Sequence, residues 1–246
     1  MVLLVSVPLF AAQGATPAAV PKPAASPAVH DPAPAAQNPG AESDLKAVLA
    51  KMNANAGTFK TAEADFEFET YQKVVDEKDV QKGRIYFRRA GRNVDAAFNI
   101  TAPAAKQVVY KDGKIRIYEP RIDQVTERDV SKNKSEVESY LSLGFGARGD
   151  DLLRDYEVKM GGWETVDGVK TAKLELTPKA EKMRQTYNSI VLWIDPEKDV
   201  LLKQQFLEPS GDYRLTHYTK MKLNARLGDD EFKLKTTGST KMVKAQ

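Results

Sequence analysis

The side chains that most often carry out chemistry are scarce in this chain. It contains no cysteine and two histidines, and only His217 lies in the part that we expect to fold. Zinc and copper sites need several cysteine, histidine or carboxylate ligands, so the sequence predicts neither a metal site nor a bound cofactor. His217 falls in register with the inward residues of a predicted strand, where a structural histidine is favoured over a general base.

The short catalytic and nucleotide-binding motifs are also missing. The sequence has no G-x-S-x-G, no H-E-x-x-H and no Walker loop. Gly144 and Gly146 form a G-x-G step, but it follows a predicted helix and lacks the later glycine of a dinucleotide site. Neighbouring carboxylates such as Asp150 and Asp151 are typical of solvated turns. We therefore expect a protein that binds a ligand rather than an enzyme.

The charge distribution argues against a nucleic-acid partner. The chain has 37 basic and 34 acidic residues, a net charge of +3, and the two signs alternate along its length. Nucleic-acid-binding proteins instead cluster their lysines and arginines on one face.

The N-terminal region predicts export. Residues 1–14 resemble a secretory signal peptide, because a short apolar run, Val2 to Ala12, is followed by small residues up to Gly14. The run lacks a preceding basic residue and is too short to span a bilayer. The alternative, a tail that is retained, stays open. Residues 15–41 are rich in Ala and Pro and predict a disordered spacer, which leaves 42–246 as one folded domain.

Within that domain the residue pattern predicts one helix followed by many short strands. Ser43 to Asn55 repeats its apolar residues at helical spacing. Thr61 to Val75 alternates apolar and acidic residues, as expected of an antiparallel strand with one wet face. About ten further strands follow, with Phe232 to Lys235 as a possible edge strand. A short helical insertion, Ser135 to Gly144, interrupts them.

A meander of this length must curl to hide its apolar face. The fold class is therefore mainly β (α+β), a curled antiparallel sheet. Its inward residues could fill a plain core or line a ligand cavity, and periodicity alone favours the core.

The segment from Gly83 to Val125 resembles the LolA family of periplasmic carriers of outer-membrane lipoproteins. The resemblance continues at Leu174 to Pro178 and spans about Leu45 to Lys235. The matching features of the first segment occur in the family's order: Gly83, Arg88-Arg89, Pro103, Val109, Asp112-Gly113-Lys114, Tyr118, Pro120 and Gln124-Val125. The chain departs from the family pattern where Arg89 is followed by Ala90 rather than proline.

The resemblance implies an incomplete β-barrel closed by the N-terminal helix and by the helical insertion, which acts as a lid. It also implies that Arg89 latches this lid through hydrogen bonds to lid backbone, while Arg88 points the other way. The acyl cavity would be lined by the inward apolar residues Phe66, Phe68, Ile85, Phe87, Phe98, Val109, Ile115, Ile117, Leu141, Leu152, Leu174, Leu176, Ile190, Leu192, Phe206 and Leu215.

The function implied by the resemblance is a soluble periplasmic carrier or chaperone that shields acyl chains of lipoproteins, or of a related lipid. Its partners would be acylated lipoproteins, an inner-membrane release complex and an outer-membrane acceptor, and we expect a monomer. The alternative is an envelope sensor or interaction module that uses the same half-barrel to bind a protein or lipid signal.

Overall fold

The computed structural model describes residues 39–90, 93–143, 145–198 and 200–245. The predicted signal peptide, residues 1–14, and all but the end of the predicted spacer, residues 15–41, lie outside the described residues. Both assignments, and the domain boundary at residue 42, stay predictions.

The architecture is one sheet of twelve strands that curls without closing into a barrel, as predicted. Its order is β12-β6-β5-β4-β3-β2-β1-β11-β10-β9-β8-β7. Neighbours are antiparallel except β12, which runs parallel to β6. The strands are β1 Thr61–Gln72, β2 Glu77–Ala90, β3 Asn93–Ala102, β4 Lys106–Lys111, β5 Lys114–Glu119, β6 Gln124–Asp129, β7 Tyr156–Val166, β8 Val169–Pro178, β9 Ser189–Asp195, β10 Val200–Leu207, β11 Tyr213–Leu223 and β12 Lys241–Lys244.

Among the described residues, four α-helices accompany the sheet: α1 Pro39–Ala56, α2 Lys134–Ser142, α3 Gly149–Asp155 and α4 Glu181–Arg184. The helix α1 begins before the predicted Ser43, since a proline is compatible with the first turn of a helix. It buries Val48, Leu49 and Met52 against the sheet, and α3 adds Leu152. In the described part of the chain, no helix combines the length and the apolar character needed to cross a bilayer.

The strand β1 shows how residue alternation sets the two faces of the sheet. Ala62, Ala64 and Phe66 are buried on the concave face. The acidic residues between them point outward and meet basic residues of the neighbouring strand, so that Arg84 Nη2 lies 2.8 Å from Asp65 Oδ1. Side-chain alternation with a period of two residues produces this division.

The predicted inward face of β11 is wrong over part of its length. Lys220 adopts a positive φ of 52°, and the pairing with β1 shifts between Glu63 and Asp65. This β-bulge adds one residue and moves the alternation to the other face. Thr216 and Tyr218 are therefore buried, whereas the predicted inward residues Leu215 and His217 alternate with them on the convex face.

The predicted edge strand Phe232 to Lys235 is also wrong. Phe232 ends a 3₁₀ turn and is buried in a small cluster with Ala97 and Val109 on the convex face. The C-terminal region instead forms the edge of the sheet with β12, which pairs with β6. Burial of the aromatic ring favours this arrangement over an extended strand, because a fully buried phenylalanine contributes about 1.5–3 kcal/mol.

Candidate functional site

A cavity of about 130 Å³ lies on the concave side of the sheet. Seven of the residues predicted for its lining lie in its wall: Phe66, Phe68, Ile85, Phe87, Phe98, Leu141 and Phe206. The other lining residues were not predicted: Gln81, Ile100, Lys106, Val108, Tyr140, Phe145, Gln204, Thr216 and Tyr218. The wall of the cavity thus contains polar groups that the predicted lining lacked.

One wall of the cavity is built by β1 to β4 and is mainly apolar, with Gln81 and Lys106 as its polar members. Each strand contributes alternate residues to this wall, and the phenylalanine rings contact across the strands. Phe66 and Phe98 meet edge to face, with ring centroids 6.1 Å apart. Such aromatic pairs add about 0.5–1.5 kcal/mol beyond the burial of their area. This wall suits a hydrocarbon chain.

Nine predicted lining residues lie elsewhere. Five of them form packed core away from the cavity: Leu152, Leu174, Leu176, Ile190 and Leu192. Ile115 packs against this core, while Ile117 and Leu215 are half-buried outside the cavity. Val109 lies on the convex face with Phe232. Adjacent valines face opposite sides of a strand, and Val108 takes the inward position.

The helix α2 and the residues after it form the lid, which we define as residues 134–143 and 145–148. Two aromatic side chains of the lid, Tyr140 and Phe145, line the cavity. Phe145 stacks on Phe87 with centroids 5.3 Å apart and meets Tyr218 edge to face at 5.3 Å. Tyr140 packs on Phe206 at 4.8 Å. These rings occupy space that a ligand would need.

Arg89 connects the sheet to the lid, as does Tyr110 on β4, whose hydroxyl donates to Glu138 at 3.1 Å. Arg89 Nη1 on β2 donates a hydrogen bond to the backbone oxygen of Gly146 at 3.1 Å. The guanidinium also lies over the ring of Phe59, at 5.8 Å from its centroid. Burial lowers the pKa of Arg89 from its ordinary value, although an arginine remains protonated at neutral pH. A charged donor therefore holds the lid through one neutral acceptor.

Gly146 fits this place for steric reasons. Its φ of +66° lies in the left-handed region, and a Cβ there would come within 2.5 Å of the Phe59 ring. A residue with a side chain would be strained and would push the lid away from Phe59. The sequence shows the glycine but not the contact that requires it.

Arg88 lies on the convex face, opposite to Arg89. Its Nη2 lies 2.6 Å from Asp95 Oδ2 and 2.8 Å from Asp229 Oδ1, and its guanidinium stacks on Phe232 at 4.4 Å. These contacts fix the backbone of β2 next to Arg89.

The wall built by β10 and β11 carries a polar patch, which we define as Gln204, Thr216 and Tyr218. Gln204 Nε2 donates to Tyr218 Oη at 2.9 Å. Burial raises the pKa of Tyr218 well above its ordinary value, so this phenol stays protonated. Thr216 and Tyr218 were missed because the β11 bulge cannot be read from residue types, whereas Gln204 on β10 shares a face with the predicted Phe206 and could have been found by alternation.

The convex face carries a second pocket, which is lined mainly by polar and charged residues, among them Asp65, Arg84 and His217. Within the described ranges, no cluster of three or more histidines, cysteines or carboxylates could hold a metal ion. His217 Nε2 lies 2.7 Å from Asp167 Oδ2 on the convex face, away from the cavity. The cavity on the concave side is the candidate site for an apolar ligand, because its wall is mainly apolar.

Comparison with known proteins agrees with this geometry. Residues 57–235 match the family described as outer membrane lipoprotein carrier protein LolA. No curated protein matches the chain by sequence.

Solved structures share the fold at low sequence identity. MucB is 17% identical, with a TM-score of 0.52 over 82% of this chain and 66% of that chain. An uncharacterized conserved protein from Thermus thermophilus is 12% identical, with a TM-score of 0.51 over 82% and 99%. The lipoprotein LppX of Mycobacterium tuberculosis gives 13% identity and a TM-score of 0.47 over 74% and 98%. At such identities the first two similarities show the fold alone.

Proposed function

Because the chain belongs to the LolA family, we propose that it is a periplasmic carrier that shields lipid acyl chains from water. Its cargo is the acyl chains of lipoproteins or of a related lipid, carried towards the outer membrane. The protein acts by binding and not by catalysis.

The observation that carries this proposal is the apolar wall of the cavity. Phe66, Phe87 and Phe98 bring three rings to one concave surface, and the lid covers them. Each buried CH₂ of a lipid chain contributes about 0.8 kcal/mol, so enclosing even part of a chain gives useful affinity.

The cavity volume supports a lid that moves. About 130 Å³ is close to the engineered cavity of about 150 Å³ that accepts benzene. A long acyl chain needs more space than this. We infer that Phe145 and Tyr140 leave the cavity when cargo enters, so the described conformation is the closed state of the lid.

The bond from Arg89 to Gly146 is the proposed latch of this closed state. It joins β2 to the lid through one hydrogen bond of 3.1 Å. A hydrogen bond from a charged group contributes about 1.5–3 kcal/mol, which is strong enough to bias the lid and weak enough for a ligand to overcome.

The remaining parts of the proposal follow the family. We propose that residues 1–14 direct export, that 15–41 are a spacer and that 42–246 form the carrier domain. A release complex in the inner membrane and an acceptor in the outer membrane complete the proposed path.

The test is the binding of a fluorescent fatty-acid probe to the purified protein and to Val108→Trp. Val108 lines the cavity, so the indole should fill it and weaken binding by about tenfold or more. Val243→Trp is the matched control, since Val243 is exposed on β12 and the same substitution there should leave binding unchanged.

Two outcomes would contradict the carrier proposal. One is the absence of probe binding by the unmodified protein. The other is equal weakening by both tryptophan variants. Capture of one defined membrane protein, with no acylated cargo, would instead favour the interaction-module alternative.

A further inference from the structure

Shielding a hydrocarbon chain from water does not require the polar patch in the cavity wall. Gln204 pairs with Thr216 across β10 and β11, and Tyr218 follows two residues later on the same face. The three residues are therefore neighbours in one wall. Thr216 is 7% exposed and Tyr218 is 3% exposed.

Apolar residues surround this patch on both sides. Phe68 and Phe66 lie beside Thr216 and Tyr218 on β1, and Leu192 lies beside Gln204 on β9. A wall that only covered hydrocarbon would be more stable with apolar residues at these positions. Local departures of this kind concentrate at functional sites.

The patch has hydrogen-bonding capacity that a ligand can use. A primary amide has two N–H donors, and Gln204 uses one of them on Tyr218 Oη. Thr216 and Tyr218 also line the cavity, and the Tyr218 hydroxyl is hydrogen-bonded to both Thr216 and Gln204. A plain hydrocarbon beside Gln204 would offer no acceptor to its second N–H, which weakens binding of the hydrocarbon.

The position of the patch fits the head of an acyl chain rather than its tail. The closed end of the cavity is lined by Ile85, Phe87 and Phe145, which are 2%, 0% and 4% exposed. Phe68 and Gln204 are half-buried and mark the accessible end. Tyr218 reaches inward to Phe145, so a chain that enters tail first places its linkage to the head group beside Gln204 and Thr216, the outer members of the patch.

Resting on the proposed function, we propose that the polar patch binds the carbonyl oxygen of an acyl ester or acyl amide. The ligand class is then a carbonyl-linked acyl chain, and the second N–H of Gln204 is its principal donor. The apolar wall provides most of the affinity, and the patch provides the selectivity for acyl compounds over other hydrocarbon chains. Pockets commonly divide these tasks between many apolar and few polar groups.

The experiment compares two competitors that differ by one carbonyl. Methyl dodecanoate and methyl dodecyl ether each displace an anilinonaphthalene dye from the full chain. The test variant is Gln204→Leu with Thr216→Val and Tyr218→Phe. Replacing a whole buried hydrogen-bonded group by apolar residues of similar shape is close to neutral for stability, so this variant should fold.

A matched control changes the convex face of the same two strands. It combines Gln205→Leu, Thr219→Val and Tyr213→Phe, which alternate with the patch residues. Circular dichroism and thermal melting of both variants establish that they are folded.

We expect the unmodified protein and the control to bind the ester about tenfold more tightly than the ether. This ratio corresponds to a difference in binding free energy of about 1.4 kcal/mol. The test variant should bind both competitors alike and should bind the ether at least as tightly as before. If the ratio of ester affinity to ether affinity is unchanged in the test variant, the assignment of the patch is overturned. The carrier proposal survives that result as long as the dye still binds. Failure of the dye to bind the unmodified protein would overturn both.

Discussion

Two adjacent arginines on β2 perform different tasks because neighbouring side chains on a strand face opposite sides. Arg88 is fixed by Asp95 and Asp229 on the convex face. Arg89 faces inward, where it donates a hydrogen bond to the backbone oxygen of Gly146. The family resemblance of the sequence predicts this division and a lid contact, but the carbonyl that accepts the bond is visible only in the structure.

Replacing Arg89 tests the latch. In Arg89→Leu the closed lid loses its hydrogen bond to Gly146, so the closed state is less populated. Less free energy is then needed to open the lid when cargo binds. A ligand gains affinity when the state that excludes it is destabilised. We expect the fatty-acid probe to bind about tenfold more tightly and to leave more slowly, as measured by stopped-flow displacement.

Arg84→Leu is the control for this prediction. Arg84 lies on the convex face of the same strand, where it pairs with Asp65 and Glu63. Surface pairs contribute little, so its probe affinity should stay unchanged. Weaker probe binding by Arg89→Leu, with Arg84→Leu unaffected, would show that Arg89 contacts cargo rather than holding the lid.

At the scale of elements, alternation of residue types predicts most strands correctly. It succeeds for β1 because a single face of that strand is apolar over its whole inner half. It fails for β11, where the bulge at Lys220 reverses the faces and brings Thr216 and Tyr218 inward. Nothing in the type of Lys220 indicates a positive φ, so the inward positions of Thr216 and Tyr218 could not be predicted. Gln204 on β10 could be, because it alternates with the predicted inward residue Phe206.

The lid shows the same limit. Its helix and Leu141 were predicted from apolar spacing, but Phe145 and Tyr140 were not placed in the cavity. Their positions depend on packing against Phe87 and Phe206, which are distant in the chain. Contacts between distant elements determine which apolar residues line a cavity and which fill a core.

The edge strand β12 is held by an unusual carboxylate. Hydroxyl groups of Thr240, Thr237 and Ser239 donate to Asp123 at 2.6, 2.7 and 2.8 Å. These bonds, led by that of Thr240, lower the pKa of Asp123 from 3.8 to about 2. Asp123 also adopts a positive φ of 46°, which suits a short polar residue.

The lowered pKa of Asp123 predicts how β12 responds to acid. A carboxylate whose pKa is lower in the folded state stabilises that state above its unfolded pKa, and the effect is lost as pH falls through the folded pKa. We therefore expect the amide resonances of Lys241–Lys244 to keep their native NMR positions above about pH 4 and to shift as pH falls towards about 2.

Asp123→Asn should release β12 at neutral pH, because the amide accepts fewer hydrogen bonds than the carboxylate. Asp76→Asn is the control, since Asp76 also has a positive φ, of 53°, and lies in the turn between β1 and β2. Unchanged β12 resonances in Asp123→Asn would show that the strand pairing with β6 is sufficient without the carboxylate.

At the scale of the molecule, the sheet is open and its concave side is filled by helices instead of by a second sheet. The helix α2 contacts the rest of the molecule through the ring of Tyr140 and through two side-chain bonds, from Tyr110 to Glu138 and from Lys182 to Glu136. A closed barrel would have no helix in this wall. We infer that the open sheet allows a small cavity to enlarge around cargo.

Covalent mapping of a bound acyl chain tests this inference directly. A diacylated lipopeptide with a photoreactive diazirine at the end of one acyl chain is bound, irradiated and located by mass spectrometry. We predict adducts on Ile85, Phe87 and Phe98, which line the cavity, and their loss in Val108→Trp. Adducts confined to convex-face residues such as Arg84, or adducts that persist unchanged in Val108→Trp, would contradict a carrier that encloses its cargo.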